Sequence, residues 1–226
     1  MNDWSPMDEE QSQLQIHHIA DLLAGPPKDV IDIGCGDGRL LLPLSVAGHR
    51  VTGIDINPQA IALCKANCKE SNVDARLLTG DILNLLPLQS QVDAIICCGQ
   101  TLMLFAEIEQ AIELFRQCKN ALKEGGLLII DDIPGDLWRE VAEGRWSEGI
   151  SNDRTMQMVW SSNDTIFAIR EGDSVNDELW ELSDFDRPMR LWTMGDLKLL
   201  AVCSDLSAPE VLIEGGILIM RANCRK

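Results

Sequence analysis

Basic residues are scarce in this chain: its 226 residues include 19 lysines and arginines against 36 aspartates and glutamates, for a formal net charge of −17. Such a surface repels polyanions, so neither a nucleic-acid partner nor an anionic membrane partner is expected. Long apolar runs are also lacking, because no stretch reaches the roughly 18 uninterrupted apolar residues of a membrane span. The segment from Met1 to Gln15 is acidic and polar, unlike a secretory signal. These absences predict a cytoplasmic protein.

Tyrosine is absent and aromatic residues make up only 4% of the chain, yet 46% of its residues are hydrophobic. A chain of this length and composition can bury a core, which excludes a disordered or fibrous protein. Its eight cysteines lie mostly inside apolar runs, which indicates reduced, buried thiols rather than a disulfide scaffold. Cys64 and Cys68 have a metal-like spacing, but no second pair accompanies them, and packing is the better interpretation. We therefore predict no metal site.

Short apolar runs alternate with helical patterns through the first 130 residues, which is typical of βαβ units around a parallel sheet. Asn57 followed by Pro58 predicts the start of one helix. Another helix is predicted from Ile108, ending at the pair Gly125-Gly126. The predicted strands are Asp29 to Ile33, Arg50 to Ile54, Ala75 to Thr79, Val92 to Cys98 and Leu127 to Asp131.

The second half of the chain is predicted to add an antiparallel insertion and to close the sheet. Alternating residues on either side of the turn signal Ser161 to Asp164 predict a hairpin. Thr193 with Asp196 predicts a capped helix to about Leu206, and two strands follow. We expect one α/β domain, Rossmann-like and doubly wound. It would comprise a core with an N-terminal helical segment in residues 1–132, an inserted antiparallel β flap in residues 133–188, and a closing helix and two strands in residues 189–226.

A glycine-rich loop follows the first strand, in the order Asp32-Ile33-Gly34-Cys35-Gly36-Asp37-Gly38-Arg39. Glycines let the chain turn sharply and let a ligand approach the backbone. Asp55 ends the second strand, where a carboxylate can accept both hydroxyls of a ribose. Gly80-Asp81-Ile82 ends the third strand, with a carboxylate and an apolar side chain suited to adenine. Since ligands of open α/β sheets bind beyond the carboxyl ends of the strands, these segments are predicted to form one small-molecule site.

The loop resembles the motif acidic-x-Gly-x-Gly-x-Gly of the class I S-adenosylmethionine-dependent methyltransferases, and the resemblance covers about Asp29 to Asp132. It implies a seven-stranded sheet with one antiparallel strand, and S-adenosylmethionine as a cofactor that leaves as S-adenosylhomocysteine. It assigns the methionine portion of the cofactor to Asp32 and the loop from Gly34 to Gly36, the ribose to Asp55, and the adenine to Asp81 and Ile82. The full set of cofactor-binding residues that it implies is Asp32, Gly34, Cys35, Gly36, Asp55, Ile56, Asp81, Ile82 and Gly99.

Other nucleotide-binding and methyltransferase classes fit the sequence less well. A dinucleotide loop requires Gly-x-Gly-x-x-Gly, and position 39 is Arg, so a nicotinamide-dependent oxidoreductase is the least favoured alternative. No Gly-Lys-Ser/Thr follows the loop, which excludes a phosphate-cradling loop. The Asn/Asp-Pro-Pro-Tyr signature of adenine-N6 and glutamine-amide methyltransferases is absent, and Cys97-Cys98 lacks the Pro that precedes the nucleophile of cytosine-5 methyltransferases. A non-catalytic cofactor-binding protein and a protein or tRNA methyltransferase stay open as alternatives.

No catalytic motif stands out, and the reaction does not demand one. Methyl transfer from a sulfonium is an in-line displacement that alignment and exclusion of water can accelerate, and a base is needed only if the nucleophile arrives protonated. Candidate bases are Asp131 and Asp132, after the fifth strand, and His17 and His18, in an amphipathic N-terminal segment that in similar enzymes folds over the cofactor. For the histidines, a place on a helix surface is the alternative.

The flap is predicted to determine the acceptor specificity. Five of the six tryptophans lie between Leu137 and Trp192, and residues 133–188 contain 13 acidic residues against five arginines. Aromatic faces beside carboxylates suit an amine or another cationic acceptor. The alternative is a small core with a solvated acidic face. We therefore expect methyl transfer to a small-molecule acceptor, with nitrogen slightly preferred over oxygen.

Overall fold

A computed structural model describes residues 9–131, 149–151, 154–213 and 216–222. The helices are α1 (Glu9–Leu22), α2 (Leu41–Val46), α3 (Pro58–Glu70), α4 (Ile82–Leu85), α5 (Ile108–Ala121) and α6 (Met194–Cys203). The strands are β1 (Asp29–Ile33), β2 (Arg50–Asp55), β3 (Arg76–Thr79), β4 (Val92–Cys97), β5 (Leu122–Ile130), β6 (Met156–Trp160), β7 (Ile166–Glu171), β8 (Met189–Arg190), β9 (Glu210–Ile213) and β10 (Ile217–Arg221). Short 3₁₀ helices span Thr101–Leu104 and Gly172–Ser174.

Seven strands form the central sheet, in the order β3-β2-β1-β4-β5-β10-β9. Strand β10 pairs antiparallel with both β5 and β9, whereas the other pairings in this sheet are parallel. The sheet therefore has the seven strands, one of them antiparallel, that the resemblance implied. Among the described residues, no helix is long and apolar enough to cross a bilayer.

Helices cover both faces of this sheet because successive residues of a buried strand point to opposite sides. Ile31 belongs to one buried cluster, which includes Ile82 of α4, Phe115 of α5 and residues of α6. Its neighbour Val30 belongs to the other, with residues of α1, α2 and α3, including Ile19. The sheet is thus doubly wound, as predicted.

The helix-start signals in the sequence act as expected. The side chain of Asn57 accepts a hydrogen bond from the backbone N–H of Gln59 at 2.9 Å and caps α3. Thr193 and Asp196 form a reciprocal capping box at the start of α6. Helix α6 ends at Cys203 rather than near Leu206.

The junction between α5 and β5 was predicted wrongly. Helix α5 ends at Ala121 and the strand begins at the next residue, so the pair Gly125-Gly126 lies inside β5. Strand β5 advances from Leu122 to Leu127 while its partner β4 advances only from Val92 to Ala94, so the extra residues bulge out. Gly125 has a φ of +73° in this bulge, and its N–H donates to the carbonyl of Ala222. The two glycines therefore permit a bulge and do not end the helix.

A second, smaller sheet has the strand order β6-β7-β8 and is called the small sheet here. Strands β6 and β7 form the predicted antiparallel hairpin, with Met158 opposite Ile169. Strand β8, which the sequence did not predict, pairs with β7. The predicted flap also includes residues 133–148, 152 and 153, which lie outside the described residues, with Trp138 and Trp146 among them.

The small sheet packs on the turn that follows β4. Met103 of this turn forms a buried cluster with Met158, Phe167 and Leu191. The side chain of Trp192 donates a hydrogen bond to the carbonyl of Leu102 at 3.0 Å. These contacts fix the small sheet beside the carboxyl end of β4, at the edge of the central sheet where the glycine loop also lies.

Candidate active site

The glycine loop after β1 is held by backbone contacts and borders open space. The N–H of Gly34 donates to the carbonyl of Ile54 at 2.8 Å, which ties the loop to β2. Gly34 has a φ of +68°, and a Cβ there would lie 2.6 Å from Oγ1 of Thr101. Gly36 has a φ of +54°, but a Cβ there would meet nothing within 4 Å. Gly34 therefore permits contact with the turn after β4, whereas Gly36 leaves room that a ligand can fill.

Asp32 lies directly below this loop and is only 3% exposed. No hydrogen bond reaches its Oδ2 within the part of the chain that the structure describes. Burial raises the pKa of Asp32 to about 7, against the lowering effect of the Arg39 charge. A buried carboxylate oxygen without a hydrogen-bond partner is costly, and a cationic ligand group would relieve that cost.

Asp55 joins the glycine loop to the start of α3. Its Oδ2 accepts from the N–H of Gly36 at 2.9 Å, and its Oδ1 accepts from the N–H of Asn57 at 2.8 Å. Each carboxylate oxygen has a second lone pair, so a ribose hydroxyl can still donate to it. Ile56 is 67% exposed beside it and offers an apolar surface.

Asp81 ends the loop after β3 and caps α4. Its Oδ1 accepts from the N–H of Leu83 at 2.9 Å, and its Oδ2 accepts from the side-chain amide of Asn84 at 3.0 Å. Ile82 is buried in the core cluster that contains α4 and α5, so Ile56 presents more apolar surface to solvent than Ile82 does.

The turn after β4 brings Gly99, Gln100 and Asp131 together. Gly99 and Gln100 are consecutive left-handed residues, with φ values of +72° and +58°. The Oδ2 of Asp131, which follows β5, accepts from the N–H of Gln100 at 2.7 Å. Burial raises the pKa of Asp131 to about 6, although backbone N–H groups oppose the shift. Asp131 thereby stabilises a turn that only glycine adopts readily.

Arg39 is the residue at this site that sequence reasoning missed. Its guanidinium donates to Oγ of Ser12 at 3.2 Å and to Oε1 of Gln15 at 2.6 Å, which attaches α1 to the end of the glycine loop. Its charge lowers the pKa values of both Asp32 and Asp131. The available signal was its place directly after Gly38, the last glycine of the loop, where an arginine also excludes a dinucleotide motif.

The candidate bases His17 and His18 lie on α1 and not in the turn after β4. His17 is exposed on α1 and lies 3.3 Å from Asp21, one helical turn away. His18, on the same helix, is half-buried, with its ring 5.6 Å from that of His17. Asp132 lies outside the described residues. The observed place of His17 matches a helix-surface histidine.

The cysteine thiols near the glycine loop lie in the protein core. Cys35, Cys64 and Cys68 are buried in the core cluster between the sheet and helices α1 to α3. Burial raises the pKa of Cys64 to about 12 and that of Cys35 well above its usual value, so both are neutral thiols. Among the described residues, no group of three or more metal-ligating side chains could hold a metal ion. Any contribution of Cys35 to ligand binding would come from its backbone.

A glycine loop and strand-end carboxylates at the edge of a doubly wound sheet define a Rossmann-like α/β protein. Residues 30–126 match a family model described as a methyltransferase domain. The chain is similar to a ubiquinone biosynthesis O-methyltransferase of Xanthomonas campestris, at 26% identity over 139 residues, or 58% of this chain and 56% of that protein. It is also similar to an uncharacterized RNA methyltransferase of Parasynechococcus marenigrum, at 41% identity over 66 residues, or 28% and 14% of the two chains.

The fold has relatives of known structure. An S-adenosylmethionine-dependent methyltransferase from Clostridium acetobutylicum has a TM-score of 0.71 and 16% identity, covering 97% of this chain and 94% of that one. Residues 30–126 therefore match a methyltransferase domain, and the fold is the one seen in S-adenosylmethionine-dependent methyltransferases. The chain spans about half the length of the ubiquinone biosynthesis O-methyltransferase and 14% of the length of the RNA methyltransferase.

Proposed function

We propose that this protein is an enzyme that transfers the methyl group of S-adenosylmethionine to a small-molecule acceptor. The observation that carries the proposal is the buried Asp32 carboxylate, whose Oδ2 is unpaired among the described residues, beside the open space at Gly36. The α-ammonium group of the cofactor would pair with Asp32. Asp55 would accept hydrogen bonds from the ribose, and Asp81 with Ile56 would bind the adenine. Gly99, whose backbone is exposed, would border the methionine end.

The cofactor supplies an electrophilic methyl group on sulfur, and the chain positions it. The proposed contacts use charge at one end of the cofactor and hydroxyl recognition in its middle, so they would fix the direction in which the methyl group points. Alignment of this kind can supply much of the acceleration of a displacement reaction. The turn Gly99-Gln100-Thr101 would then form the floor on which an acceptor meets the methyl group.

The small sheet would form one wall of the acceptor site. Its residues Met158 and Phe167 are buried against Met103 and hold the small sheet to the turn after β4. Three acidic side chains of the predicted flap form ion pairs with arginines, in the pairs Asp164 with Arg190, Asp177 with Arg154, and Asp186 with Arg170. These pairs remove part of the acidity that suggested a cationic acceptor. A neutral acceptor is therefore favoured over a cationic one.

Nitrogen is placed ahead of oxygen as the acceptor atom. A neutral amine attacks without losing a proton first, whereas a hydroxyl needs a base, and the carboxylate of Asp131 already accepts the N–H of Gln100. Oxygen is the second candidate, since curated relatives are named ubiquinone biosynthesis O-methyltransferases. A nucleic-acid acceptor is disfavoured by the net charge of −17.

Methyl-labelled S-adenosylmethionine, offered with a panel of amines and a matched panel of phenols and catechols, tests the proposal. Label transfer to a member of either panel is the expected result, and the panel that accepts it identifies the atom. Binding of S-adenosylhomocysteine without transfer to any metabolite would instead support a non-catalytic binding protein. Transfer of the label to a large molecule in a cell extract would support a macromolecular acceptor. A thermal shift with NAD(P) and none with S-adenosylhomocysteine would refute the cofactor assignment.

A further inference from the structure

The side-chain amide oxygen of Gln100 is buried at the edge of the central sheet and has no hydrogen-bond partner among the described residues. The residue as a whole is 9% exposed. Burial of an unpaired amide costs stability that a residue of similar shape without polar atoms would not cost. Such a group is expected where a ligand supplies the missing partner.

The backbone around Gln100 is built to hold this side chain in place. Gln100 has a left-handed φ of +58°, which is unfavourable for a residue with a Cβ, and its N–H donates to Asp131 at 2.7 Å. The next residue, Thr101, donates from its hydroxyl to the carbonyl of Cys98 at 2.8 Å, and its side chain lies against Gly34. Gln100 therefore sits between the glycine loop and the end of β5.

The same turn continues into the wall of the site. Met103, three residues after Gln100, packs into the small sheet with Met158 and Phe167. The carboxamide of Gln100 thus lies on the segment that joins the glycine loop to the small sheet. In the proposed function, these two parts bind the methyl donor and the acceptor.

We propose that the carboxamide of Gln100 binds the nucleophilic nitrogen of the acceptor and aims it at the methyl group. This inference rests on the proposed function. The amide oxygen would accept a hydrogen bond from an N–H of a neutral primary or secondary amine, which leaves the nitrogen lone pair free to attack. The new N–C bond forms as the S–C bond breaks, and the electron pair of that bond passes to sulfur. The methylated ammonium then loses its proton to water.

Sinefungin provides a probe that does not require the natural acceptor. In this analogue a carbon replaces the sulfonium sulfur, and a primary amine on that carbon takes the place of the transferred methyl group, next to the position proposed for the acceptor nitrogen. Gln100→Met keeps the length of the side chain and removes its polar atoms. We expect the preference of the protein for sinefungin over S-adenosylhomocysteine, measured by calorimetry, to fall about tenfold in this variant, because a hydrogen bond to a charged group is lost.

Two further results are expected of the same variant. Its affinity for S-adenosylhomocysteine should not change, since that ligand has no amine at this position. Its melting temperature should be unchanged or higher, because an unpaired buried amide has been removed. Gln117→Met is the matched control: the Oε1 of Gln117 is also buried and unpaired among the described residues, but its Nε2 donates to the carbonyl of Leu83 at 2.8 Å on the α4–α5 side. Its ligand preference should equal that of the wild type.

The outcomes separate the inference from the proposed function. An unchanged preference for sinefungin in Gln100→Met, with both ligands bound, would overturn the inference. Equal weakening of both ligands with a lower melting temperature would also overturn it, by giving Gln100 a purely structural role. If the wild-type protein binds neither ligand, the proposed function itself is wrong, and the inference fails with it.

Discussion

Arg170 and Asp186 form a buried, two-pronged ion pair in the small sheet. Nε and Nη2 of the guanidinium donate to the two carboxylate oxygens at 2.7 Å each, and the side chains are 5% and 7% exposed. The same guanidinium donates to the carbonyls of Leu179 and Glu181. The pair thus fastens the loop after β7 onto the hairpin and leaves the neighbouring Phe185 99% exposed.

Removal of one partner should therefore destabilise this region strongly. Asp186→Asn leaves a buried guanidinium without its counter-charge, and the free energy of unfolding is expected to fall by about 3 kcal/mol in urea denaturation. Asp177→Asn is the matched control, because the ion pair of Asp177 with Arg154 is solvent-exposed and is expected to contribute less than about 1 kcal/mol. Equal effects of the two substitutions would contradict this assignment.

The same pair predicts an acid dependence of stability. The Arg170 guanidinium lowers the pKa of Asp186 to about 2, below the usual value near 3.9. A carboxyl group with a lowered pKa in the folded state stabilises the protein above its unfolded pKa, and that contribution is lost as the pH falls from about 4 through about 2. In Asp186→Asn, the part of the stability loss that occurs between these pH values should be smaller than in the wild type. An identical acid profile for both proteins would argue against the pair.

Much of the fold could be predicted from local patterns, because βαβ alternation and helix caps are short-range signals. The start of α3 at Asn57 and Pro58 is an example. The bulge in β5 could not be predicted, since Gly125 is accommodated by contact with Ala222, nearly 100 residues away. The local sequence Gly125-Gly126 is typical of a helix end, and only the tertiary contact with Ala222, the residue after β10, reveals the bulge.

The candidate site likewise contains residues that the local sequence predicts and residues that it does not. The places of Asp32 and Asp55 could be predicted, because Asp32 lies near the end of β1, just before the glycine loop, and Asp55 ends β2. The contacts of Arg39 and Gln100 could not be predicted, since they are made with distant residues, Gln15 of α1 and Asp131 beyond β5. A guanidinium bound to a distant helix and an amide in a left-handed turn have no signature in a single sequence.

Asp55→Ala is expected to abolish cofactor binding. The substitution removes the proposed acceptor of the ribose hydroxyls and also the carboxylate oxygen that accepts the N–H of Gly36 at 2.9 Å. Calorimetry with S-adenosylhomocysteine should show a loss of at least about 100-fold, equivalent to two hydrogen bonds to a charged group. Asp29→Ala is a suitable control, since Asp29 pairs with Arg50 and Lys123 at the opposite end of β1. Unchanged affinity in Asp55→Ala would refute the site assignment.

Cofactor affinity is expected to depend on the charge of Asp32. Burial raises the pKa of this carboxyl group to about 7, and only the ionised form can pair with an ammonium group. Affinity for S-adenosylhomocysteine should therefore be constant above pH 7 and fall by up to tenfold per pH unit below it. Asp32→Asn should bind more weakly at high pH and lose this dependence, which calorimetry at several pH values would show. A wild-type affinity that does not change between pH 5 and pH 8, or that rises on acidification, would be inconsistent with the proposed pairing.

Gly48 is a matched control for substitution of Gly36 in the glycine loop. Both have positive φ values, +54° at Gly36 and +95° at Gly48, and a Cβ at either position would meet no protein atom within 4 Å. Alanine at either site should lower stability by about 1 kcal/mol, through the strain of a left-handed residue. At Gly36 alone, the new methyl group should also enter the space proposed for the cofactor, and affinity for S-adenosylhomocysteine should fall at least about tenfold. If Gly36→Ala and Gly48→Ala bind this ligand equally well, the cofactor does not lie against Gly36.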